Sequence, residues 1–170
     1  VYSVDDNFTT NFMTLLNNLP LFPLYYGGNT KFSPIHCSDI TDIIYNVISN
    51  NIYSKIIECV GPETFTFKEI IIKLLNLIEK KRILLPMPTT IAKISAKIFE
   101  IMPNPLLTRD QLKLLKYDNI PSGKYKTNSD LGFPSLRFFD EEVKKYCYMW
   151  KEGGQYSTEK YSFNDDLKNK

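Results

Sequence analysis

The sequence predicts an α/β protein, and three patterns carry that prediction. Short extended segments alternate with helix-period segments through residues 1–150. Ile56–Val60 is an apolar, β-branched run between polar stretches, closed by Gly61-Pro62, which is the form of a buried strand. Thr66 and Glu69 make a capping box directly before the apolar stretch Ile70–Ile78. Three or four short strands are too few for a doubly wound sheet. The predicted architecture is therefore the trailing strands of a parallel sheet followed by a mostly helical lobe.

Taken in order, Val1–Tyr2 reads as the end of a strand whose start lies outside the chain. Asp6 can cap a helix carrying Phe8, Phe12, Leu15, Leu16 and Leu19 at a period near 3.6. Pro20, Pro23 and Gly27-Gly28 then break the chain, the glycines as turn residues. Lys31–His36 is extended, and Pro34 argues for an edge position or a strand end. Ser38 is placed to cap a helix with Ile40, Ile43, Ile44, Val47 and Ile48 on one face. After the strand Ile56–Val60 and the capped helix over Phe67–Glu79, Arg82–Leu85 is another short strand, ended by Pro86-Met87-Pro88. Thr89 or Thr90 opens a helix with Ile91, Ile94, Ile98 and Ile101, and Thr108 with Gln111 forms a second capping box. Pro121–Asp130 reads as polar loop and Asp140–Trp150 as a last amphipathic helix. Residues 151–170 form a polar tail expected to be disordered.

Composition narrows the function. With 21 Lys and Arg against 19 Asp and Glu, the net charge is +2, without the basic excess of a nucleic-acid binder. No apolar run approaches the roughly 18 to 20 residues of a membrane span. The start, with Asp5, Asp6 and Asn7, lacks the basic region of a signal peptide. Cys37, Cys59 and Cys147 are far apart and the only histidine is His36, so no zinc pattern is present; three buried thiols in a reducing compartment are expected.

There is no G-x-G-x-x-G, P-loop or G-x-S-x-G motif. Tyr156 and Lys160 match Tyr-x-x-x-Lys, a spacing that lets a lysine lower a tyrosine pKa for proton transfer. The match lies in the polar tail with no strand before it, and reads as chance. His36, three residues before Asp39 at a strand-to-helix junction, admits two readings. It is either a polar residue bonded to nearby backbone or carboxylate, or part of a pocket at the carboxyl end of a strand. Arg109, in the first turn of a helix, is either part of a solvated cap or aimed at a ligand or partner domain.

Several segments carry a family resemblance. Phe32-x-Pro34-Ile35-His36-x-x-Asp39-Ile40, Gly61-Pro62 with Thr66-Phe67-x-Glu69-Ile70, and Leu84-Leu85-Pro86-Met87-Pro88 resemble the C-terminal half of extended or atypical short-chain dehydrogenase/reductases, the NAD-dependent epimerase/dehydratase superfamily. Pro105-Leu106-Leu107-Thr108-Arg109-Asp110-Gln111-Leu112, with Asp118-Asn119 and Leu131-Gly132-Phe133, is similar to the branch that holds the nucleotide-binding accessory subunit of respiratory complex I and its alphaproteobacterial relatives. The resemblance implies a Rossmann-like parallel sheet whose trailing strands lie here, with the whole helical substrate lobe. It implies NAD or NADP as cofactor, bound mainly by an N-terminal half that carries the glycine fingerprint and the catalytic Tyr/Lys pair. It sets Tyr2 beside the cofactor, where the family's Gly-Pro is replaced by Val4-Asp5, and makes His36, Asp39 and Arg109 candidates for the substrate pocket. Epimerases that take sugar nucleotides carry a basic residue at the position of Phe32 and an Arg-x-Gly-Asp segment; neither is here, which counts against a UDP-sugar.

The functional expectation is hydride-transfer chemistry on an unknown substrate, as part of an NAD(P)-dependent reductase or epimerase. The alternative is a non-catalytic, nucleotide-binding accessory subunit of a respiratory NADH:quinone oxidoreductase. No catalytic residue and no metal ligand is assigned within the chain. Expected partners are the N-terminal half and, for the alternative, respiratory complex subunits, with no nucleic acid and no transmembrane segment. The expected location is a bacterial cytoplasm, with or without membrane association, or the mitochondrial matrix.

Overall fold

The computed structural model describes residues 1–87 and 113–154. The segment 88–112 lies outside the described residues. With it go the helix expected from Thr89 or Thr90, the Thr108/Gln111 capping box and Arg109. The Tyr156/Lys160 match and most of the tail are outside as well.

The chain mixes helices and strands as predicted, with its strands in three two-stranded sheets among the described residues. The elements in order are α1 (Thr9–Asn18), β1 (Leu21–Tyr25), β2 (Lys31–Phe32), α2 (Cys37–Ser49), β3 (Ile57–Glu58), β4 (Phe65–Thr66), α3 (Phe67–Leu77), β5 (Ile83–Met87), β6 (Lys126–Thr127) and α4 (Phe139–Lys144), with a 3-10 turn at Cys147–Trp150. β1 and β5 are parallel, from Leu21 opposite Ile83 to Tyr25 opposite Met87. β3 and β6 are parallel, and β2 and β4 antiparallel.

Residues that end helices here do so through specific bonds. Asp6 stands just before α1, and its carboxylate accepts from the N–H groups of Phe8 and Thr10 at 3.1 and 3.0 Å, two donors that a helix start leaves unpaired. At the other end of α1, Arg82 donates from Nε to the Leu16 carbonyl and from Nη2 to the Asn17 carbonyl, tying the last turn to the start of β5. The capping box at Thr66 and Glu69 is complete, with Glu69 N–H on Thr66 Oγ1 and Thr66 N–H on the Glu69 carboxylate. These bonds hold the Glu69 carboxyl below the ordinary glutamate range.

The core joins α1, α3, β1 and α4. Met13, Leu16, Phe67, Ile70, Ile71, Leu74, Ile78 and Val143 are fully buried, with Tyr2, Phe22, Leu24, Tyr25 and Phe139 packed among them. Two polar links cross it. Thr9 Oγ1 bonds Tyr146 Oη at 2.8 Å, and Trp150 Nε1 donates to Thr14 Oγ1 at 2.9 Å.

Several expectations need correction. Leu21–Tyr25, read as a broken stretch, is a strand. Pro23 is tolerated because β1 pairs on one side alone among the described residues, as does β5 with Pro86. Ile56–Val60 is not a buried strand: β3 is half-buried and pairs with β6, inside the stretch read as loop, while Tyr2 bridges His36 in parallel. The α2 cap is His36 rather than Ser38, since His36 Nδ1 accepts from Ser38 N–H at 3.2 Å. α2 buries Ile43 but leaves Ile44 and Ile48 exposed. The last helix is shorter than Asp140–Trp150, giving way to the 3-10 turn after Lys144. Cys37 and Cys59 are exposed; Cys147 is the buried thiol, and burial pushes its pKa up. Among the described residues no helix is long and apolar enough to cross a membrane.

Candidate functional site

The segment Lys31–His36 organises a cleft. On one side β2 pairs with β4; on the other, Phe32 bridges Asn119 in parallel. That second contact is dense. Asn119 N–H donates to the Lys31 carbonyl at 2.7 Å, Ser33 N–H to the Asn119 carbonyl at 3.0 Å, and Lys31 N–H to Asp118 Oδ1 at 2.8 Å. Thr30 Oγ1 adds a bond to the Leu115 carbonyl. Pro34 lies two residues beyond Phe32, the last residue of β2, so its missing N–H removes no ladder bond and the strand-end reading holds. At the far end Tyr2 N–H donates to the Ile35 carbonyl and Cys37 N–H to the Tyr2 carbonyl, at 3.0 and 3.1 Å.

Between these segments and the first turns of α1 lies a cleft of about 440 Å³. Its walls are Val1–Tyr2, Asn7, Phe8, Asn11 and Phe12 around the start of α1, Phe32 to Pro34, and Leu114, Leu115 and Tyr117 to Asn119. Phe8, Phe12 and Phe32 meet there, Phe8 and Phe12 edge to face with centroids 5.0 Å apart, and Phe8 and Phe32 tilted at 5.8 Å.

Of the sequence candidates, Tyr2 lines this cleft. It is buried, and its hydroxyl donates to the Arg137 carbonyl at 3.3 Å. Burial raises its pKa well above the ordinary tyrosine value, and Glu142 and Asp39 add to the rise. It therefore stays a neutral phenol with its proton committed, suited to be a wall rather than a base. His36 and Asp39 do not line the cleft. The His36 ring stands edge-on to Tyr2 with centroids 5.2 Å apart, caps α2, and has Nε2 3.9 Å from Glu142. That arrangement agrees with the reading of His36 as a bonded strand-end residue. Asp39, nearly fully buried, accepts from Arg137 Nη1 at 2.5 Å and from the N–H groups of Leu136 and Arg137. Arg137 also reaches Asp42 at 2.8 Å, and both bonds hold its guanidinium in the charged form. Asp39 thus clamps the segment before α4 onto α2. Arg109 lies outside the described residues.

Sequence reasoning missed most of the cleft. Phe8 and Phe12 read as core residues of a helix, and no sequence signal sets them against Phe32, because that contact joins segments distant in the chain. Asn11 lines the cleft as well, while its Nδ2 donates to the Asn7 carbonyl. Gly27 and Gly28 are turn residues, both at positive φ. A Cβ on Gly28 would meet Lys68 Cβ at 2.8 Å, so that glycine serves packing against α3. Among the described residues no group of three or more His, Cys, Asp or Glu is arranged to hold a metal.

No protein-family model matches the chain, and no curated protein sequence matches it.

Proposed function

We propose that the chain is the C-terminal portion of an NAD(P)-binding protein of the reductase and epimerase kind, contributing the end of a Rossmann-like sheet and the lobe that closes over the substrate. The observation that carries the proposal is the cleft itself. Two separate parts of the resemblance, Phe32 to Pro34 and Asp118-Asn119, lie on its walls and bond each other directly. A cavity of this size with converging aromatic and polar side chains is the usual form of a small-molecule site. In this reading NAD or NADP is bound by glycine-rich backbone upstream of Val1 and supplies the hydride. The chain's own residues do three things. Tyr2 walls the nicotinamide end with its ring, Phe8, Phe12 and Phe32 exclude water, and the Asp39–Arg137 clamp holds the lobe to the sheet side. The exposed Ile44 and Ile48 on α2 support an upstream half that covers them.

A second reading, the non-catalytic accessory subunit, keeps its place because Asp118-Asn119, one of the segments similar to that branch, forms one wall of the same cleft. An intact upstream Tyr-x-x-x-Lys pair favours chemistry, and its loss favours the accessory role. Thermal-shift titration of the full-length polypeptide with NADH and NADPH tests the shared core of both. A saturable rise in melting temperature is expected. No rise with either nucleotide overturns the proposal.

A further inference from the structure

We propose that the cleft recognises an uncharged aromatic ring bearing an N–H donor, an inference that rests on reading the cleft as the substrate end of the lobe. Phe8, Phe12 and Phe32 offer ring surfaces at different angles, 87° between the first two and 49° between Phe8 and Phe32. A planar ring can therefore stack on one and meet the edge of another, the arrangement aromatic pairs prefer. Leu115 and Pro34 extend the apolar wall.

The polar side chains select the ring's substituent. Asp118 is fixed by the Lys31 N–H on Oδ1 and brings a carboxylate to the cleft. Asn11 gives one of its two amide hydrogens to the Asn7 carbonyl, and its oxygen is able to accept as well. The Asp118 carboxylate, an acceptor alone, therefore calls for a donor on the ligand, and Asn11 can accept from it too. Asp118 is also the one acidic or basic side chain among the described residues of the wall, so an anion placed there meets a carboxylate. Aromatic walls with acceptors favour an N–H-bearing ring over a carboxylate or phosphate of the same size.

The test is ligand-observed NMR titration of the full-length polypeptide with indole, with indene (the same ring frame without the N–H) and with indole-3-carboxylate. Indole is expected to bind saturably, and each of the other two about tenfold or more weakly, the scale of one hydrogen bond to a charged group. Phe8→Leu is expected to weaken indole. Asp118→Asn keeps an oxygen for the Lys31 N–H and removes the charge, and is expected to abolish the discrimination against indole-3-carboxylate. If near-UV circular dichroism shows Phe8→Leu to be unfolded, Asp118→Asn decides alone. The proposal is overturned if indole does not saturate, if indene or indole-3-carboxylate binds as well as indole, or if Asp118→Asn leaves the discrimination unchanged. NADH titration of the same sample separates the two ideas. NADH binding without indole binding sinks this inference and leaves the proposed function standing; indole binding without NADH binding does the reverse.

Discussion

Replacing Asp39 with alanine tests whether this residue is a clamp or a substrate contact. The side chain is 4% exposed, and its carboxylate holds Arg137 Nη1 at 2.5 Å with two longer contacts, to the N–H groups of Leu136 at 3.4 Å and Arg137 at 3.3 Å. A bond to a charged group contributes about 1.5 to 3 kcal/mol. Arg137 is one-third exposed and keeps Asp42 at 2.8 Å, so solvent screens part of the loss. The two long backbone contacts add little each. The sum is about 2 kcal/mol of local stability. Opening of the segment before α4 should then rise roughly thirtyfold, since 1.4 kcal/mol is a factor of ten. Hydrogen exchange measured by mass spectrometry on the full-length polypeptide reads this directly at Leu136 to Phe139. Asp39→Asn, which keeps one acceptor, should lose about half as much. An Asp39→Ala/Arg137→Ala double variant should be less impaired than the sum of the two single changes. Unchanged protection in Asp39→Ala, together with lost ligand binding, would refute the clamp and return Asp39 to the pocket.

Other expectations follow from single contacts. Gly61→Ala would set a Cβ 1.7 Å from the Pro34 carbonyl oxygen, so a loss of about 3 kcal/mol or more is expected in denaturant melts, and near-native stability would contradict the close approach. The Glu69 carboxyl has a folded pKa below its unfolded value, so its contribution is present above the unfolded pKa near 4 and lost as pH falls through the folded one; Glu69→Gln should flatten the decline of stability below about pH 5, and an identical slope would refute it. At pH 8 a thiol reagent should modify Cys37 and Cys59 in the native protein and Cys147 after denaturation alone; rapid native labelling of Cys147 would contradict its burial. The 170-residue chain by itself, with Ile44, Ile48 and Tyr45 exposed on α2, should self-associate in light scattering. A monodisperse monomer with a sharp melt would show that α2 needs no cover.

The sequence carried the helices better than the strands. The apolar spacing from Phe8 to Leu19 and the capping box at Thr66 act within one turn of chain, and α1 and α3 lie where those local rules set them. β1 was hidden because Pro20 and Pro23 signal a break, and what rescues the strand is β5, some sixty residues away in the chain. β3 was legible as extended, but its neighbour was not, because Lys126–Thr127 is too short and polar to show any period. For the site, Tyr2, His36 and Asp39 were flagged by their place at strand ends, yet only Tyr2 reaches the cleft. His36 is turned by its local cap on the Ser38 N–H, and Asp39 by contacts with Leu136 and Arg137, which no local pattern encodes. Phe8 and Asp118 become site residues through the bonding of Lys31–Phe32 to Asp118-Asn119, a long-range event without a sequence signature.

The central claim is that this chain is one part of a nucleotide-binding protein whose phosphate-binding backbone lies upstream. Isothermal calorimetry with NADH and NADPH, run in parallel on the full-length polypeptide and on the 170-residue chain, tests it most directly. The account predicts saturable binding of at least one nucleotide by the full-length polypeptide and none by the chain alone, which has no glycine-rich phosphate loop in its sequence. Micromolar binding by the isolated chain, or no binding by the full-length polypeptide, would contradict it.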